Sequence, residues 1–266
     1  MTQVELTSTN HKKTKKIRKI SCINAKGGVG KSSFLKNAAH KLALLGYQVL
    51  FIECDFQRNT SKMLSEPIAY TMNEVITKDI PIAQATYKLR DNLYIVPAHP
   101  DLDKAAKHII INAPRSYYSL KRAVDQLTEY DFILFDYSPN WTAVTETALR
   151  ASDELLIPVL LEQYSIDGLV ELFEKIEKEL FDHELTILGI IPYNVDFTSK
   201  LANHFLPFLK EKFKDKLTNI VRTDQQIPQS QVFRQTIFDF NPRSKAAKDI
   251  EQVAEYIINT EGNDHE

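Results

Sequence analysis

A glycine-rich turn set between two apolar segments constrains this chain more than any other feature. Ile20–Asn24 is a short strand-like run. It leads into Lys26-Gly27-Gly28-Val29-Gly30-Lys31-Ser32. Phe34, Leu35, Ala38, Ala39, Leu42 and Leu45 then recur at helical spacing up to Gly46, where a helix stop belongs. Strand, turn and helix in that order bring several backbone N–H groups and a helix N-terminus to one point, and glycines let the backbone close tightly around a phosphate. Lys31 is then placed to reach β and γ phosphates, and the Ser32 hydroxyl to bind Mg²⁺. The usual pattern opens with glycine, whereas here that place is Ala25. The plainer alternative is a glycine turn that only caps a helix. It leaves the lysine–serine pair unexplained.

The rest of the chain repeats the alternation. Gln48–Cys54, Asn92–Pro97, Phe132–Asp136, Glu154–Val159 and Leu185–Ile191 read as buried strands. A helix marked by Leu169, Leu172, Phe173, Ile176 and Leu180 lies between the last two, and Arg243–Ile258 reads as a closing helix. Strands alternating with helices predict an α/β fold, a doubly wound and mainly parallel sheet covered on both faces. The predicted organisation is a flexible basic arm over residues 1–18, a single P-loop domain over 19–260 and a short acidic tail over 261–266. The 266 residues are 43% apolar and 26% charged, ordinary for a soluble protein. No apolar run is long enough to span a bilayer, and no signal peptide is visible. The two cysteines, Cys22 and Cys54, support neither a disulfide scaffold nor a CxxC metal site, which fits a reducing cytoplasm.

Charge is uneven although its sum is only −2. Residues 1–19 carry a net +5, and residues 200–248 carry ten Lys or Arg against four Asp or Glu. Two basic regions on a weakly acidic body suit an anionic polymer, and equally suit a solvated tail and charged helix faces.

Lys26–Ser33 (KGGVGKSS) resembles the deviant Walker A box of the ParA/MinD ATPases, whose mark is the additional lysine before the glycines, here Lys26. The resemblance extends along the chain. Val49–Ser61 (VLFIECDFQRNTS) is similar to the family's second motif, with Asp55, Gln57 and Asn59 matching, Glu53 in place of an aspartate and Phe56 in place of proline. Asp136 closes a Walker B-like strand before a switch segment, Tyr137–Asn140, and both Ala148–Gly168 and Asn241–Ala247 look like family sequence. The resemblance implies ATP and Mg²⁺ as cofactors. Gly27, Gly28, Val29, Gly30, Lys31, Ser32 and Ser33 would hold the nucleotide's phosphates, with Asn194 or the backbone near Arg222–Asp224 at the adenine. Ser32, Asp136 and Glu53 would lie at the metal, and Lys26, Lys31 and Asp55 would act in hydrolysis. Lys26 would act across an ATP-sandwiched homodimer, as an arginine finger does. Asp55 would orient the attacking water, although an aspartate at a strand end also serves as a helix N-cap, and Asn194 reads equally as a loop asparagine.

The implied function is an ATPase, slow and stimulated by a partner. It would dimerise with ATP, bind nucleoid DNA non-specifically and position a cargo carrying a ParB-like protein. Candidate phosphate contacts are Lys200, Arg222, Arg234, Arg243, Lys245 and Lys248. A MinD-like ATPase on a membrane is the alternative. That class ends in a basic amphipathic helix, whereas this chain ends Asn259-Thr260-Glu261-Gly262-Asn263-Asp264-His265-Glu266. An iron–sulfur carrier on the same scaffold needs displayed cysteines, and Cys22 and Cys54 fall in predicted strands. The substitutions at Glu53 and Phe56 leave a regulated scaffold with little turnover open. The seven histidines show no ligand spacing, and Ser138 has no nucleophile-elbow glycines.

Overall fold

A computed structural model describes residues 16–24, 26–162 and 165–260. Most of the expected arm, Ala25 and the tail over 261–266 lie outside the described residues. Eight strands form one sheet: β1 (Arg18–Cys22), β2 (Val49–Cys54), β3 (Tyr87–Arg90), β4 (Leu93–Val96), β5 (Phe132–Tyr137), β6 (Glu154–Val159), β7 (Thr186–Val195) and β8 (Val221–Arg222). Their order is β3-β4-β2-β5-β1-β6-β7-β8. Only the β3–β4 pair is antiparallel. The α/β, doubly wound prediction therefore holds. β3 and β8 are edge strands of four and two residues, too short to carry an apolar pattern of their own.

Alternation along the strands builds two cores. Leu50, Ile52 and Cys54 of β2 face one side with Ile133, Phe135 and Tyr137 of β5. Over that face lie α2 (Met72–Lys78), α3 (Asp103–Ile111), α4 (Ser119–Val124), α5 (Ala143–Arg150), α6 (Ser165–Glu179) and α7 (Lys200–Phe213). Val49 and Phe51 of β2 face the other side with Ile20 and Cys22 of β1. There they meet α1 (Lys31–Leu44), α8 (Gln226–Val232), α9 (Ile237–Phe240) and α10 (Lys245–Asn259). The side chains of Glu53 and Asp136 continue the second face, toward α1.

The first strand begins two residues earlier than the sequence predicts, at Arg18 rather than Ile20. Arg18 opens β1 because its guanidinium has partners: Nε and Nη2 donate to the two Glu154 oxygens at 2.8 and 2.7 Å, and Nη1 donates to the Ile257 carbonyl. Lys19 pairs with Asp125 at 2.7 Å. Two of the cations counted toward a basic arm are thus part of the folded body.

Candidate active site

The phosphate-loop residues sit where β1 runs into α1. Gly28 and Gly30 hold positive φ values of 75° and 88°. A side chain at Gly30 is excluded twice, by that conformation and because a Cβ would fall 2.4 Å from the Tyr193 ring. Tyr193 in turn packs edge-on against Phe34 of α1, centroids 5.9 Å apart, so β7 braces the loop from behind. The α1 N-terminus receives no side-chain cap, and its first turn holds no acidic residue. Its partial positive charge is left uncompensated, as an anion site needs.

The lysine Nζ of Lys31 lies 3.2 Å from the Lys26 carbonyl, so the ammonium rests on the loop's own backbone. Burial pulls its pKa below the ordinary value, and the nearby Asp136 and Asp55 charges oppose that pull. Ser32 Oγ donates to Asp136 Oδ1 at 2.9 Å. Burial pushes the Asp136 carboxyl up to about 7; the Glu53 and Asp55 charges add to the push, while the Ser32 bond and Lys31 resist it. A buried carboxylate in contact with a hydroxyl and crowded by two other acids gains from a divalent cation. This donor set fits Mg²⁺, and the uncapped glycine loop fits a phosphate chain. Ser33 Oγ accepts from Gln231 Nε2 in the last turn of α8. Val29 is buried, while Gly27 and Gly28 are exposed.

Three predicted site residues stand differently from their expected roles. Glu53, expected beside Mg²⁺, is fully buried, and its oxygens accept backbone N–H groups of Thr60 at 2.8 Å, Ser61 at 3.1 Å and Ala98 at 3.3 Å. The additional methylene lets the carboxylate reach and tie down the loop that follows Asp55. Arg222, expected at DNA phosphates, forms a fork with Asp249, Nε to Oδ2 at 2.8 Å and Nη2 to Oδ1 at 2.7 Å, so its charge is already met. Arg234 is exposed and lines a cavity beside the β2–α2 connection.

Others stand as follows. Asp55 is 8% exposed, and its Oδ1 accepts the Gln57 N–H at 3.0 Å, a turn rather than a helix cap. Lys26 is half exposed and pairs with Glu162 in the same chain. Asn194 is exposed, next to the bracing Tyr193, in a left-handed conformation with φ 56°. Lys200 opens α7, while Arg243, Lys245 and Lys248 cluster around the start of α10; all four are exposed and none has an ion pair among the described residues. Cys22 and Cys54 are buried, and burial pushes both thiols up. The sequence reading missed Lys36. It is 4% exposed, one helical turn behind Ser32, and Asp136 and Glu53 offset the desolvation that lowers its pKa. Its spacing from Ser32 was the available signal.

Comparison with known proteins agrees with this geometry. Residues 17–187 match the AAA_31 family model, an AAA domain. The chain is 30% identical to the cell division protein PomZ of Myxococcus xanthus over 243 residues, 89% of this chain and 76% of that one. It is 28% identical to the sporulation initiation inhibitor protein Soj of Bacillus subtilis, covering 86% and 93% of the two chains. A putative plasmid partition protein from Borrelia burgdorferi, solved with AMPPNP, superposes with TM-score 0.79 at 21% identity, over 91% of this chain and 99% of that one. Apo McdA from Cyanothece does so with TM-score 0.79 at 21% identity, over 92% and 100%. By its loop, its sheet and these relatives, the chain belongs to the ParA/MinD family of ATPases.

Proposed function

We propose that this chain is a partitioning or positioning ATPase. It would dimerise around ATP, bind nucleoid DNA in the cytoplasm without sequence preference, and release it when a ParB-like protein on the cargo stimulates slow hydrolysis. The observation that carries this reading is the pair of lysines on one uncapped glycine loop, with Ser32 on Asp136 at its end. Relatives named for chromosome partitioning and cell division support the cellular role.

The chain's own groups divide the work. Gly27–Ser33 would wrap the phosphates with backbone N–H donors. Lys31 would leave the Lys26 carbonyl for the β and γ oxygens. Ser32 and Asp136 would hold Mg²⁺, which when bound neutralises phosphate charge. Asp55 would orient water and accept its proton. Lys26 is half exposed on a surface pair with Glu162; such pairs are worth about 0–1 kcal/mol, little enough for the side chain to exchange Glu162 for a phosphate across a dimer. Lys200, Arg243, Lys245 and Lys248 are the cations left for DNA.

The MinD-like alternative has less support. Ala246, Ala247, Ile250, Val253, Ala254 and Ile257 of α10 are fully buried in the second core, so the apolar side of the last described helix has no surface for lipid. Sedimentation with random-sequence duplex DNA in ATP, ADP or no nucleotide tests the proposal. Co-sedimentation only with ATP is expected. Sedimentation with anionic vesicles instead would replace this reading with the membrane one.

A further inference from the structure

Beyond the phosphate loop, a cavity of about 500 Å³ opens between the β2–α2 connection and the turn after α8. That volume is ordinary for a small-molecule site. Arg58, Lys62 and Arg234 line it, and none of the three has an ion pair or a side-chain hydrogen bond among the described residues. Most other arginines of the fold do: Arg18, Arg90, Arg122, Arg150 and Arg222 all reach carboxylates. Arg58 goes further, because its Nε is buried with no hydrogen-bond partner. A buried donor on a charged group is costly to leave unmade.

The backbone adds to this. Arg58 and Arg234 both stand in the left-handed region, with φ 53° and 54°, where glycine is the default. Two arginines held at that cost, both lining one cavity, argue for a use of their side chains. Acids are present too. Glu74 is occupied, since it accepts from Thr71 N at 2.9 Å and Thr71 Oγ1 at 2.7 Å in the capping box of α2. Glu66 at the rim is the opposing charge. His99 is turned to the backbone N–H of Asp101 at 3.0 Å.

We propose that this cavity is a second anion site, separate from the phosphate loop, that takes a small phosphate-bearing ligand between Arg58, Arg234 and Lys62. The planar guanidinium fork matches phosphate oxygens in pairs, and a lysine beside it supplies a point charge. The two walls of the site are connected to the proposed catalytic groups. Arg58 N donates to the Asp55 carbonyl at 3.0 Å, and Arg234 follows α8, whose own Gln231 touches Ser33. A ligand here would tie the Asp55 loop to the helix that contacts the phosphate loop.

Calorimetric titration of inorganic pyrophosphate, without metal, into the full chain carrying Lys31→Ala tests this with the phosphate loop disarmed. One saturable site is expected. Adding Arg58→Gly and Arg234→Gly, which suit the left-handed backbone and so spare the fold, should weaken it by about tenfold or more. Glu66→Gln should tighten it, an effect no structural role for Glu66 would produce. Equal affinity with and without the two arginines, or no pyrophosphate binding to the Lys31→Ala chain, overturns the proposal. Nucleotide binding by the chain with Lys31 intact reports on the phosphate loop independently. It should survive Arg58→Gly, and its loss there would assign Arg58 to the phosphate loop and overturn the second site.

Discussion

Two carboxylates two residues apart, Glu53 and Asp55, leave one strand end for different jobs. Glu53 is buried against three backbone N–H groups, whereas Asp55, also buried, accepts only the Gln57 N–H among the described residues and lies close enough for its charge to act on Lys31. Burial raises the Glu53 pKa and the bonds from Thr60, Ser61 and Ala98 hold it down, so the carboxylate serves as a clamp. Glu53→Ala should therefore act on stability: each orphaned buried N–H costs about 1–3 kcal/mol, read as a lower urea midpoint. Nucleotide affinity should fall far less than the midpoint does. Asp55→Ala should do the reverse. It keeps the fold and ATP binding, and its turnover in a phosphate-release assay should fall on the order of 10²–10⁴, the usual worth of a positioned base. Parent-rate turnover would remove Asp55 from the water-activating role.

At the scale of elements, α1 is held at its start and in its middle by contacts distant in sequence. Its start leans on Tyr193 of β7, and its middle places His40 Nδ1 at 2.6 Å from Thr236 Oγ1, the residue that also caps α9. Burial lowers the His40 pKa below 6.5, opposed by the Asp239 charge. The folded state therefore binds fewer protons at this site than the unfolded chain. Stability from His40 is complete above pH 6.5 and is lost as pH falls below that value toward the folded pKa. Chemical denaturation at a series of pH values should show this acid-side slope, and His40→Asn, which cannot titrate, should flatten it. A slope unchanged by the substitution would place the titration elsewhere. The β8–α10 contact works likewise through Arg222, whose backbone N and guanidinium both bind Asp249. A cation that reads as a DNA contact in sequence is a joint between elements.

At the scale of the whole molecule, the predicted basic region over residues 200–248 divides into separate places: Lys200 at the start of α7, Arg222 locked to Asp249, Arg234 in a cavity wall, and Arg243, Lys245 and Lys248 together at the start of α10. Replacing the last three with alanine should weaken ATP-dependent binding of every duplex sequence alike. The slope of log affinity against log salt should shrink by about 0.9 for each phosphate contact removed, while hydrolysis without DNA is unchanged. An unchanged salt slope would move the DNA face to other cations.

The sequence by itself determined the α/β class, the phosphate loop and the family. Those depend on local order: a strand, a glycine turn and a helix are neighbours in the chain, and strand alternation sets which side chains face α1. It also led to the expectation that Asp55 and Asp136 share one sheet edge with Ser32, since the ends of parallel strands lie together there. Which charges are spent and which are available was decided only by the tertiary structure. Glu53 meets Ala98 across 45 residues, Arg18 meets Glu154 across 136, and Arg222 meets Asp249 across 27. A charged side chain has the same letter whether it is paired or not; its partner comes from another element, and packing alone brings the two within hydrogen-bond distance.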